Sequence, residues 1–100
     1  MHELEVWRNK IDAIDEQLVR LLNERTTAAM EIGNIKLAMG LDAYSPEREK
    51  EVMRNVTKWN HGPLSSAAVR RLFERIIDEA RSVERVFMDG KKKKPEGERD

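Results

Sequence analysis

The chain of 100 residues has no cysteine, which excludes disulfides, cysteine-ligated zinc or iron–sulfur centres and thiol catalysis. Its two histidines, His2 and His61, stand far apart, so a histidine-led metal site is not expected either. No uninterrupted apolar run exceeds four residues, against the roughly 20 that a membrane-spanning helix needs. The opening MHELEVWRNK lacks the apolar core of a signal peptide, and a cytoplasmic address with no membrane partner is the expectation. An excess of one charge sign is missing as well. Lys+Arg and Asp+Glu number 19 each, so no global basic field announces a nucleic-acid partner, and any cationic site must be local.

What is there is a charged fraction of 38% beside a hydrophobic fraction of 39%, the balance of one soluble domain with much charged surface. Prolines stand only at 46, 63 and 95, β-branched alternation is absent, and no internal repeat is visible. The chain therefore reads as all-α, with helices over 4–39, 46–60 and 65–88. Ser45 with Pro46 behind it, and Ser65 with Leu64 and Val69 placed for a hydrophobic staple, are the expected helix starts. Gly40 and Gly62 stand where chains leave helices. Gly33 is a mid-helix glycine, costing about 1 kcal/mol relative to alanine, tolerable where another backbone or a ligand comes close. The last ten residues, KKKKPEGERD, contain no apolar side chain, and 91–100 is expected to be a disordered charged tail behind a domain of residues 1–90.

Within the first segment Leu4, Trp7, Ile11, Ile14, Leu18, Leu21, Arg25, Ala28, Ile32, Ile35 and Met39 alternate spacings of three and four, a heptad seam. About 36 helical residues extend roughly 54 Å, whereas a compact domain of this size has a radius of gyration near 13 Å. Two shorter helices can shield only part of such a seam. The expectation is an intertwined homodimer in which long helices run antiparallel.

Arg25 interrupts that seam where an apolar side chain is due, and a buried guanidinium needs a counter-charge. An acid from another helix, setting register, satisfies that need; so does an anionic ligand. Lys36 comes three turns later, within roughly 20° of the same face and about 16 Å along the axis, so the two long cations can grip one small dianion. Arg48 precedes Val52, Val56 and Trp59 on or beside the apolar stripe of the second helix. In the third helix Val69, Leu72, Phe73, Ile76, Ile77, Ala80, Val83 and Phe87 form a wide stripe, and Glu84 falls on its edge. Glu84 is either a partner for Arg25 or Lys36, or a carboxyl kept protonated by desolvation so that it donates a hydrogen bond. Arg8 lies about 25 Å up the long helix and roughly 100° round from Arg25, a surface position by periodicity, able to reach the same ligand only from the partner of an antiparallel dimer.

The combination resembles the all-helical chorismate mutases of the AroQ type. The residues that carry the resemblance are Arg8 with Ile11-Asp12-Ala13-Ile14-Asp15 and Leu18 through Leu22, Glu24-Arg25, Gly33-Asn34-Ile35-Lys36, Pro46-Glu47-Arg48-Glu49, and Leu72-Phe73-Glu74-Arg75-Ile76-Ile77. It covers about 4–88. It implies a homodimer with two equivalent sites, conversion of chorismate to prephenate on the route to phenylalanine and tyrosine, and no cofactor. Carried over position by position, Arg25 and Arg8 of the other chain bind substrate carboxylates. Lys36 bridges a carboxylate and the ether oxygen, and Glu84 faces Lys36 across that oxygen. Arg48 supports the site near the ring hydroxyl, from which Glu49 accepts a hydrogen bond.

Three positions depart from the pattern. Glu84 stands where many bacterial members have glutamine, Ala80 where several have a serine that contacts a carboxylate, and Ser45 where aspartate often borders the hydroxyl pocket. An isochorismate-pyruvate lyase of the same fold clamps a similar pair of carboxylates, and a non-enzymatic dimerisation module would use the inward charges as plain salt bridges.

Overall fold

The computed structural model describes residues 2–93. Three helices follow one another: α1 (His2–Met39), α2 (Pro46–Trp59) and α3 (Ser66–Lys93). No described residue lies in a strand. None of the helices is long and apolar enough to cross a membrane.

The helix ends follow from local chemistry. At the end of α1 Gly40 takes a φ of 70°, which lets Leu41 N–H reach the Lys36 carbonyl at 2.8 Å and Gly40 N–H the Leu37 carbonyl at 3.3 Å. That paired arrangement closes a helix through a left-handed residue, a conformation glycine adopts without Cβ strain. Ser45 caps α2, its Oγ accepting from Arg48 N–H at 3.3 Å, and Pro46 opens the first turn. Ser65 does the same for α3, accepting from Ala68 N–H at 3.0 Å.

One boundary differs from expectation. α3 continues five residues past 88 to Lys93, so the first part of the segment 91–100 read as a solvated tail is helical. The reason is that nothing between Asp89 and Lys93 breaks a helix firmly: lysine is a good helix former and its charge suits the carbonyl end of the helix dipole. Lys91 also lays its ammonium 5.0 Å from the Phe87 ring centroid, one turn back. Residues 94–100 of the expected tail lie outside the described residues.

α3 is the central element, packing against both α1 and α2, which make no close backbone approach to each other among the described residues. Val52 and Val56 of α2 and Val69 and Ile77 of α3 form a buried cluster, with Met53 and Phe73 against it. Trp59, expected on that stripe, is 65% exposed. Against α1 the contact takes another form. The buried positions of α1 are Ala29 and Gly33, a stripe about a third of a turn round from the heptad seam at 100° per residue. A Cβ on Gly33 would come within 3.1 Å of Glu84 Cγ and 3.4 Å of Met88 Cγ. The missing side chain is therefore what admits α3 to this distance.

The seam itself stays open. Leu4, Trp7, Ile11, Ile14, Leu18 and Leu21 are between 46% and 60% exposed, and Ile32, Ile35 and Met39 are also exposed although α3 lies alongside. Every residue from 2 to 24 is exposed. The chain measures 62 × 33 × 15 Å with a radius of gyration of 18.0 Å, well beyond the roughly 13 Å of a compact chain this long.

Candidate functional site

Where α1 crosses α3, beside the start of α2, the side chains enclose a cavity of about 230 Å³. That is below the roughly 300–1,000 Å³ of drug-sized pockets and suits a small ligand. α1 brings Arg25 and Lys36 to its wall, which places them three turns apart on one face as the spacing requires. The first turn of α2 brings Arg48 and Glu49, and Ser45 borders them at the cap. From α3 come Ala80 and Glu84. Seven of the eight residues singled out from sequence thus surround one space. Arg8 does not: it is exposed on α1 beyond the reach of α3.

Lys36 is held on two sides. Its Nζ donates to the Ala43 carbonyl at 2.7 Å and stands 3.0 Å from Glu84 Oε1. Both side chains of the ion pair are largely withdrawn from water, at 18% and 10% exposure. Nζ approaches the buried Oε1 at an ion-pair distance without hydrogen-bond alignment. Of the two roles open to Glu84, this geometry is that of the first, a counter-charge for Lys36.

Arg25 has no such partner. Among the described residues no carboxylate oxygen comes within 4.0 Å of its guanidinium. Burial, and next to it the charge of nearby Arg48, pull its pKa below the ordinary arginine value. Arg48 is more exposed than its stripe position suggested and ties Nη1 to Glu51 Oε1 at 2.7 Å, one turn on. The Ser45 hydroxyl is engaged by its capping bond, and Ala80 contributes only a methyl to the wall.

One wall residue escaped the sequence reading. Arg81 donates from Nη1 to Glu49 Oε2 at 3.1 Å and from Nη2 to Asp78 Oδ1 at 3.0 Å. Its guanidinium also lies 4.8 Å from the Tyr44 ring centroid. The available signal was its place four residues after Ile77 and three before Glu84, both on the inward face.

With Arg81 counted, the wall carries Arg25, Lys36, Arg48 and Arg81 against Glu49 and Glu84. Lys36 balances Glu84, Arg81 balances Glu49, and Arg48 is paired with Glu51 beside the wall, which leaves Arg25 as the surplus cation. Such a surplus in a partly desolvated cleft attracts an anion. A larger groove of about 730 Å³ runs between α2 and α3, but its lining carries Glu49, Glu74 and Asp78 as well as Lys50 and Arg54, so it has no positive surplus. Among the described residues no group of three or more His, Asp or Glu side chains is placed to hold a metal ion.

Comparison with known proteins bears on this geometry. The sequence profile described as "Chorismate mutase type II" matches residues 7–85. The bifunctional chorismate mutase/prephenate dehydratase of Neisseria gonorrhoeae is 47% identical over 79 residues, a stretch that is 78% of this chain and 21% of that protein. The chain therefore spans about a fifth of that relative's length. Among solved structures, the form II chorismate mutase from Thermus thermophilus superposes with a TM-score of 0.81 at 31% identity, covering 83% of this chain and 94% of that one. A chorismate mutase from Helicobacter pylori in complex with prephenate gives a TM-score of 0.81 at 25% identity, covering 89% and 97%.

Proposed function

Because the chain belongs to the family of type II chorismate mutases, we propose that its cavity binds chorismate and rearranges it to prephenate in the cytoplasm, the catalytic unit spanning residues 1–90. The observation that carries this reading is the convergence of Arg25, Lys36, Arg48, Glu49 and Glu84 on one small cavity with surplus positive charge. The reaction is an intramolecular pericyclic shift that needs no nucleophile and no cofactor. It needs a compact substrate conformer and stabilisation of the negative charge that grows on the breaking ether oxygen.

Each side chain then has a physical task. Arg25, which meets no carboxylate among the described residues, takes one carboxylate of the substrate. Lys36, already clamped by Ala43, turns its ammonium to the ether oxygen and a carboxylate without having to be ordered first. Glu84, whose Oε1 stands 3.0 Å from Lys36 Nζ, faces Lys36 across the ether oxygen. Arg48 lies near the ring hydroxyl, and Glu49 accepts from it. Ser45 and Ala80 shape the wall.

The site is completed in a homodimer. An apolar seam exposed along the whole of α1, and 23 successive exposed residues at its start, support a second copy as the occupant. Most of a helix's stability in a protein comes from packing of its apolar face rather than from intrinsic propensity. In an antiparallel arrangement Arg8 of the partner subunit reaches the second carboxylate.

The test is to mix purified protein with chorismate, follow its loss and identify the product, with isochorismate as a parallel substrate. Prephenate formation supports the reading. Pyruvate and salicylate from isochorismate alone would replace it with the lyase activity. A folded dimer that turns over neither substrate from acidic to neutral pH would leave the inward charges as structural pairs.

A further inference from the structure

We propose that Arg81 is a positioning residue for this reaction: it holds Glu49 and the loop between α1 and α2 in the geometry that receives the substrate's ring hydroxyl. The inference rests on the chorismate reading of the cavity and goes beyond it, because it concerns a side chain placed to act through Glu49.

Three separate pieces of the fold meet at this guanidinium. Nη1 donates to Glu49 in the first turn of α2, Nη2 to Asp78 one turn back on α3, and the plane of the group lies against Tyr44 of the loop. The fork matters. Asp78 fixes one arm from Arg81's own helix, so the other arm is presented to Glu49 in a set direction, which an ammonium on a flexible stem cannot do. Glu49 by itself is a glutamate in the first turn of a short helix, with several rotamers open to it. Bound through Oε2, it has one orientation and keeps Oε1 for a ligand.

The loop is secured from two directions by adjacent residues. Lys36 holds the Ala43 carbonyl from α1, and Arg81 holds the Tyr44 ring from α3. Among the described residues α1 and α2 make no close backbone approach, so these two cations are what couple the Lys36 end of the cavity to the Glu49 end. Support from behind of this kind keeps a contacting group within the fraction of an ångström that orientation requires. The Arg81–Glu49 pair is about one-third exposed on each side, so its effect is moderate, a factor of about five rather than thousands.

The experiment is steady-state kinetics with chorismate for the wild type, Arg81→Ala, Glu49→Ala and the double variant, with Arg75→Ala as a control in a surface ion pair with Glu79. Arg81→Ala is expected to lower kcat/KM about fivefold. Glu49→Ala is expected to lower it at least as much, and the double variant no further than Glu49→Ala alone. On a chorismate analogue lacking the ring hydroxyl, Arg81→Ala and wild type are expected to match, which a merely structural loss would not produce. Should the alanine variant fail to fold, Arg81→Gln, which retains a donor but not the fork, takes its place with the same expectations. Independent, multiplying losses, or an equal loss on the analogue, overturn the role of Arg81 while the chorismate reading stands. A wild type that leaves chorismate unchanged overturns both.

Discussion

Lys36 Nζ stands 3.0 Å from Glu84 Oε1 where α1 crosses α3, and the same ammonium donates to the Ala43 carbonyl at 2.7 Å. One side chain thus joins two helices and the loop that leads to the third. Its carboxylate neighbour is largely withdrawn from water, and the opposite charges offset much of what burying either alone would cost.

Lys36→Ala is expected to lower kcat/KM by about 100-fold or more, the usual scale for losing a donor aimed at developing charge. Helical content by circular dichroism should persist. A loss below about threefold would place Lys36 outside the chemistry.

Glu84 carries a prediction that separates its shape from its charge. On the proposed reading a group that donates to the ether oxygen opposite Lys36 favours the reaction, so Glu84→Gln, which keeps the shape and donates through its amide, should retain activity, whereas Glu84→Ala should lower kcat/KM about 100-fold. Wild-type kinetics in the alanine variant would refute the assignment.

For Arg25 the expected outcome of substitution by alanine is a transition-state loss of about 2–5 kcal/mol, the range for leaving a buried charge partner unpaired. Since Arg25 meets no carboxylate among the described residues, association of the proposed dimer, measured by sedimentation, should be retained. Dissociation in place of lost catalysis would make Arg25 a structural residue.

The proposed sharing of each site between two subunits predicts complementation. Arg8→Ala and Arg25→Ala homodimers should each be nearly inactive. Refolded together in equal amounts they form half heterodimers, each with one intact site of two, restoring about a quarter of wild-type activity. No recovery above the sum of the separate variants would mean that Arg8 does not cross the interface.

Gly33→Ala tests the close approach of α3. The gain of about 1 kcal/mol in helix propensity is opposed by a Cβ that would meet Glu84 Cγ at 3.1 Å. Displacing Glu84 from Lys36 should reduce kcat while the melting temperature stays close to the wild-type value. Wild-type kcat in this variant would show that Glu84 can shift without consequence.

Much of the site was legible because helices make spacing into geometry. Arg25 and Lys36, eleven residues apart, had to share a face of any helix containing both, and Ser45 with Pro46 had to start one. Arg81 was not legible. Its partners Glu49, Asp78 and Tyr44 sit on three different elements, and only one of them is a neighbour along its own helix.

The amino-acid sequence by itself determined three helices, their caps and an apolar seam too long for one protomer to cover, because capping, proline placement and heptad spacing are local properties of the chain. Only the tertiary structure decided which face of α1 receives α3. The seam marked by large side chains is left exposed, and α3 packs instead on Ala29 and Gly33, where the absence of side-chain bulk permits contact. A hydrophobic pattern registers large apolar groups and passes over small ones. Close approach of two helices depends on the small ones, and it is this approach that sets Glu84 against Lys36.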